Sequence, residues 1–204
     1  MNHHIITIGR QFGSGGHEIG LAVAKALNIP FYDKELIKKM AQDSGMSHEI
    51  LESFDEKPTN SFLYSLSLGA YTYNTYNGVP EMPMSDKIFI IQSDTIKSIA
   101  KQGPCVIMGR CAESVLRGVA PVFSVFIHAD FDTRIKRIAE FEKISHDEAS
   151  EKIRKTDKKR AGYHNYYSDL KWGAATSYDL CVNSKIGFDT AAKLIVDCYN
   201  LLEK

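Results

Sequence analysis

The chain has 204 residues, 44% of them hydrophobic and 25% charged, a composition that supports a packed core and argues against disorder. Its 25 Lys and Arg balance 25 Asp and Glu, so no net field draws the molecule toward nucleic acid or an anionic membrane, and any anion site has to be local. The four cysteines, Cys105, Cys111, Cys181 and Cys198, form no Cys-x-x-Cys pair and no zinc spacing, as expected of free thiols in a reducing compartment. Met1 runs into a short apolar segment without a charged leader, and no apolar run approaches the roughly 18 residues that span a bilayer. The expectation is a cytoplasmic protein with no membrane or nucleic-acid polymer as partner.

In chain order, the β-branched run Ile5, Ile6, Thr7 and Ile8 predicts a first strand that stops at Gly9. Residues 17–27 place Ile19, Ala22, Val23 and Leu27 on one helical face. Pro30, Phe31 and Tyr32 make a short second strand. Residues 85–101 read as a helix through Ile88, Ile91, Ile96 and Ile99, followed by strands at 105–108 and 122–128. Ser145 with Glu148 reads as a capping box that opens a helix through Arg160. A fifth strand at 178–182 and a helix at 188–202 close the series. Continuous rather than alternating apolar runs suit strands covered on both faces, and the strand–helix alternation implies right-handed crossovers in an open α/β fold with a parallel sheet.

The interval between the second and third strands breaks this rhythm. Residues 47–57 look helical, and residues 61–84 are rich in Tyr, Ser, Asn, Gly and Pro. So long a connection reads as an inserted subdomain over the sheet's carboxyl edge, or as a homo-oligomer contact made by Tyr64, Tyr71, Tyr73 and Tyr76.

The segment from Gly9 to Glu18 lies between the first strand and the first helix. Gly13, Ser14, Gly15, Gly16, His17 and Glu18 can converge their backbone N–H groups on a phosphate, with the helix dipole behind them. Against the phosphate-loop pattern G-x-x-x-x-G-K-[ST], however, Arg10 stands at the first glycine, Gly16 at the lysine and His17 at the hydroxyl residue. Arg10, or a basic residue from the Lys152 to Arg160 stretch, could restore the missing charge, and Ser14 or Glu18 could reach a metal ion directly or through water. Asp33 after the second strand and Arg110 after the third emerge beside this loop, where ligands of parallel sheets bind. Arg110 offers a planar fork to a phosphate or base edge, and Asp33 an acceptor for a hydroxyl or amino group. The stretch from Lys152 to Arg160 carries six basic residues in nine positions, enough to close on the charge of a transferring phosphoryl group. His164, Asn165, Tyr166, Tyr167 and Trp172 behind it either stack on a base or close the subdomain.

The run Ile-Thr-Ile-Gly-Arg-Gln-Phe-Gly-Ser-Gly-Gly-His-Glu-Ile-Gly from Ile6, with Ile-Pro-Phe-Tyr-Asp-Lys-Glu-Leu-Ile from Ile29, resembles the cytidylate kinase-like family of P-loop nucleoside monophosphate kinases. The likeness extends through Val106 to Ala112, Asp157-x-x-Arg160 and Tyr178-Asp-Leu. It implies a three-layer P-loop kinase fold in one domain: a five-stranded parallel core at 1–34, 85–144 and 170–204, an acceptor-binding helical insert at about 35–84 and a lid at about 145–169. It further implies transfer of the γ-phosphoryl group of ATP, with Mg2+, to a small phosphate-bearing acceptor, CMP or dCMP. Asp33, Arg110, Asp157 and Arg160 would place the acceptor, and Arg10, Arg154 and Arg160 would serve catalysis. Cytidylate kinases commonly continue Gly-Arg-Asp after the third strand, where Cys111 stands here. Two rival readings remain: a nucleotide-binding regulatory protein that lost the chemistry with its lysine, and a kinase of a non-nucleotide metabolite.

Overall fold

The computed structural model describes residues 4–33 and 82–202, together with positions 36, 39, 44, 45 and 47. Apart from position 47, the helix expected at 47–57 lies outside the described residues, as does the Tyr-rich stretch up to residue 81 with Tyr64, Tyr71, Tyr73 and Tyr76.

Five strands form one parallel sheet: β1 (Ile5–Arg10), β2 (Phe31–Tyr32), β3 (Val106–Met108), β4 (Val122–His128) and β5 (Leu180–Asn183), in the spatial order β2-β3-β1-β4-β5. β1 lies at the centre, with Ile6 beside Val106 on one side and Phe123 on the other. Its four apolar-run residues are buried because both faces of the sheet are covered. On one face Ile6 and Ile8 pack with Ile19 and Val23 of α1 (Gly16–Leu27) and with Ala191 and Ile195 of α6 (Phe188–Leu202). On the other, Ile5 and Ile107 meet Ile88, Ile96 and Ile99 of α2 (Met84–Ala100) and Leu116, just after the short α3 (Ala112–Val115).

The capping box forms as expected, with Ser145 Oγ accepting from the Glu148 N–H at 3.2 Å and Glu148 Oε2 accepting from the Ser145 N–H at 2.9 Å. The helix it opens, α5 (His146–Tyr167), runs well past Arg160 because its last turns find partners. Tyr167 stacks on Phe89 of α2 at 4.0 Å between ring centroids, and Tyr163 packs edgewise on the same ring. A helix absent from the sequence reading, α4 (Phe131–Glu142), precedes it, and the two enclose a small core of Ile138, Ala139, Ala149 and Ile153.

Among the described residues no helix is long and apolar enough to cross a membrane. All four cysteines are free thiols. Burial pushes the Cys105 thiol from 9.0 up to about 12, so above pH 9 the unfolded chain ionises while the folded one does not. Stability is therefore expected to fall between about pH 9 and pH 12. Buried Tyr163 and Tyr178, whose phenols also shift upward, act in the same direction. Denaturant midpoints at neutral and alkaline pH should converge for Cys105→Ala relative to the parent; an equal alkaline loss in both proteins would remove the thiol from the account.

Candidate functional site

The site is built where β1 hands over to α1. Gly13 and Gly15 take φ of 78° and 80°, which turns the chain back on itself before the helix begins at Gly16. Gly15 also admits a close approach: a Cβ there would lie 2.4 Å from Phe188 Cζ and 2.6 Å from Arg137 Nη1. Above the turn, the Arg137 guanidinium lies 4.0 Å over the Phe188 ring, and its Nη2 is 3.3 Å from Glu18 Oε1. A cleft of about 290 Å³ follows the turn, walled by Arg10, Asp33, Arg137 and Arg160.

Expected phosphate-loop residues adopt different roles. Ser14 is fully buried and its hydroxyl donates to the Gln11 carbonyl at 2.8 Å. Gly15 and Gly16 are buried, while His17 and Glu18 face the cleft from the first turn of α1. His17 Nε2 lies 3.5 Å from Asp33 Oδ2, and Arg10 Nη2 lies 3.9 Å from Asp33 Oδ1, so the Asp33 carboxylate bridges the loop and the end of β2.

The start of the loop is held from behind by two helices. Asp157 of α5 accepts the Phe12 N–H at 2.8 Å, Arg134 of α4 donates to the Phe12 carbonyl at 3.2 Å, and Arg134 and Asp157 pair at 2.5 Å. Arg134 is 6% exposed. Arg160 donates to the Arg10 carbonyl at 3.2 Å and its guanidinium lies 5.8 Å from the Phe12 ring centre. Asp157, expected at the acceptor, is thus engaged with the loop backbone in this structure. Arg154 is exposed and lies across the Phe131 ring at 4.5 Å, apart from the cleft.

After β3 the backbone takes an uncommon course. Gly109, Arg110 and Cys111 have φ of 66°, 63° and 55°, three consecutive left-handed residues of which two carry side chains. Such strain persists only where surrounding bonds hold it. Gln92 of α2 does so here, donating from Nε2 to the Arg110 carbonyl at 3.0 Å and to Tyr163 Oη at 2.9 Å. The turn buries the Arg110 side chain. Burial, then the like charge of Arg10, pulls its guanidinium from 12.5 down to about 10; Arg160 adds to this, against the opposing effects of Tyr163 and Asp33. The guanidinium groups of Arg10, Arg110 and Arg160 thus lie together where β1 and β3 end, beside Gly9 and Gly109; Arg10 and Arg160 also wall the glycine-turn cleft, and Arg110 does not. His164 pairs with Glu113 at 2.7 Å, each side chain 7% exposed, which favours the subdomain-closing reading over base stacking. Sequence reasoning missed Gln92, Arg134 and Arg137. The latter two follow from a helix signal at Asp130 with Ile135, Ile138 and Ala139; nothing in the sequence marked Gln92.

Among the described residues no group of three or more His, Cys, Asp and Glu could hold a metal ion by itself. Magnesium commonly needs only one or two carboxylates beside substrate phosphates, and Glu18 is the carboxylate at the loop that fits. Ser14 fits less well, since it is fully buried beneath the turn.

A glycine turn between the central strand and its helix, in a 2-3-1-4-5 parallel sheet, defines a P-loop kinase fold. The chain belongs to the cytidylate kinase-like family, whose model matches residues 5–186. An uncharacterized protein from Eubacterium ventriosum is similar over 97% of this chain and 99% of its own, with 32% identity and a TM-score of 0.72. The shikimate kinase of Bacteroides thetaiotaomicron, at 13% identity and a TM-score of 0.56, covers 97% of this chain and 98% of its own. A gluconokinase from Sinorhizobium meliloti, at 14% and 0.53, covers 98% and 93%. These two likenesses concern the fold. No curated protein matches the chain.

Proposed function

We propose that the protein transfers the γ-phosphoryl group of ATP to a small phosphate-bearing acceptor, with CMP and dCMP as the preferred acceptors, in the cytoplasm. The observation that carries this reading is the clustering of Arg10, Arg110 and Arg160 where β1 and β3 end, with Arg10 and Arg160 also walling the glycine-loop cleft, in a chain whose overall charge is zero. Three cations held together against their mutual repulsion make a site for an anion more highly charged than one carboxylate.

In this reading the amides of residues 13–18 bind the donor phosphates, and the Arg137–Phe188 stack above Gly15 offers a flat surface to the donor base. Arg110 and Asp33 position the acceptor, and Arg160 faces the charge that develops between the two substrates. An acceptor that is already a phosphate anion needs no general base from the protein. Mg2+ bound with ATP would neutralise donor phosphate charge, with Glu18 as the protein carboxylate that could hold it. CMP and dCMP rest on membership of the cytidylate kinase-like family.

The inward-turned Ser14 hydroxyl and the glycine at the lysine position favour a second reading, a nucleotide-binding regulator without turnover. A product assay with ATP, Mg2+ and a panel of nucleoside monophosphates and sugar or shikimate-like alcohols separates the readings. Phosphorylated CMP and dCMP above the ATP hydrolysis background are expected, and Arg160→Ala should lower turnover about a hundredfold or more with ATP affinity little changed. ATP binding without product from any acceptor would favour the regulator; product from an alcohol alone would replace the acceptor class.

A further inference from the structure

Gly16 occupies the first position of α1, and its φ lies outside the left-handed range. Backbone geometry therefore does not demand glycine, and alanine is the better helix former. The surroundings supply the reason. A Cβ at position 16 would lie 2.6 Å from Arg10 Cβ and 2.9 Å from Arg10 Cγ, with Ser14 Oγ next at an ordinary 3.6 Å. The stem of Arg10 fills the space that a side chain at position 16 would use.

We infer that Arg10 and Gly16 are one reciprocal exchange: the cation that a phosphate loop carries at the head of its helix is supplied here from the end of the central strand, and Gly16 is glycine to admit it. In G-x-x-x-x-G-K the first glycine leaves open the position from which Arg10 projects, and the lysine projects from the position that Gly16 leaves open. The two arrangements exclude each other sterically. Asp33, 3.9 Å from Arg10 Nη2, keeps the guanidinium at the cleft, where the side chain is 12% exposed. Arg10 would then contact the donor polyphosphate, and Gly16 would position it. This inference rests on reading the loop as a polyphosphate site.

Two measurements on the full chain test it. In a stability cycle, Gly16→Ala should lower the thermal midpoint by several degrees in the parent and far less in an Arg10→Gly background, where the Cβ and the rest of the stem are gone. Equal losses in both backgrounds would overturn the steric exchange. In binding, the affinity for ATP and for inorganic tripolyphosphate should fall about tenfold or more in Arg10→Ala and be largely kept in Arg10→Lys. The double variant R10G/G16K, which writes G-x-x-x-x-G-K into this chain, should regain affinity over Arg10→Ala, whereas Gly16→Lys alone should bind poorly. Unchanged affinity in Arg10→Ala, or no binding of tripolyphosphate by the parent, would overturn the inference. Tripolyphosphate binding that depends on Arg10, in a protein that phosphorylates no acceptor, would leave the inference standing and remove the kinase reading.

Discussion

Arg110→Met is expected to cut phosphoryl transfer by about two to three powers of ten while raising the thermal midpoint. The two effects have one origin. Burial and the neighbouring guanidinium of Arg10 bring Arg110 down from 12.5 to about 10, so the folded protein holds the cation at a cost on the order of a few kcal/mol. Methionine fills much of the same volume without the charge, and the fold recovers part of that cost. The acceptor loses a planar pair of charged donors, and with it the contacts that orient the reacting phosphate. The sign of the pH dependence follows from the same shift. Below about pH 10 Arg110 keeps its proton, so its role should not vary from pH 6 to 9, and anion binding should fail only as the pH passes about 10. Acceptor KM, kcat and the thermal midpoint of this variant check the argument. A destabilised protein with unchanged kcat/KM for its acceptor would make Arg110 a packing residue.

The strain at this turn fits that assignment. Gly109, Arg110 and Cys111 lie in the left-handed region in succession, at roughly 1–2 kcal/mol for each non-glycine residue. Gln92 bridges the Arg110 carbonyl and Tyr163 and fixes the turn against α5. A backbone held this way presents the arginine in one orientation, which a flexible loop would not do.

The sheet was legible because its chemistry is local. A strand covered on both faces needs an unbroken apolar run, and each of the five runs lies within two residues of an observed strand at both ends. The phosphate loop was legible for a similar reason, since positive φ at Gly13 and Gly15 can be met at low cost only by glycine. α4 was harder. Half of its residues 131–142 are charged, so the stripe of Ile135, Ile138 and Ala139 is thin, and with the helix went Arg134 and Arg137. The left-handed turn at Arg110 and Cys111 carried no signal, because neither residue type favours it. The engagement of Asp157 with Phe12 spans 145 residues of sequence and depends on how two helices pack, which no local pattern encodes.

That last contact is where the largest stability loss is expected. Arg134→Ala leaves the Asp157 carboxylate, with a side chain only 16% exposed, facing the Phe12 N–H without its cation. Removing one partner of a buried pair costs about 3–5 kcal/mol, well above the loss expected for an exposed ion pair such as Arg137–Glu18. Asp157→Asn keeps an acceptor for the Phe12 N–H and should cost less. The double variant R134A/D157N should be less destabilised than the sum of the singles, because the stranded carboxylate is gone. Denaturant unfolding of the four proteins measures this directly. Hydrogen exchange adds a local readout: the Phe12 amide should exchange faster in Arg134→Ala than in Asp157→Asn when both are folded. Both helices hold Phe12, so loosening it should also weaken ATP binding at Gly13 to Glu18 before the fold itself is lost. Additive losses below about 1 kcal/mol each would reduce the clasp to a surface ion pair and free Asp157 for the acceptor.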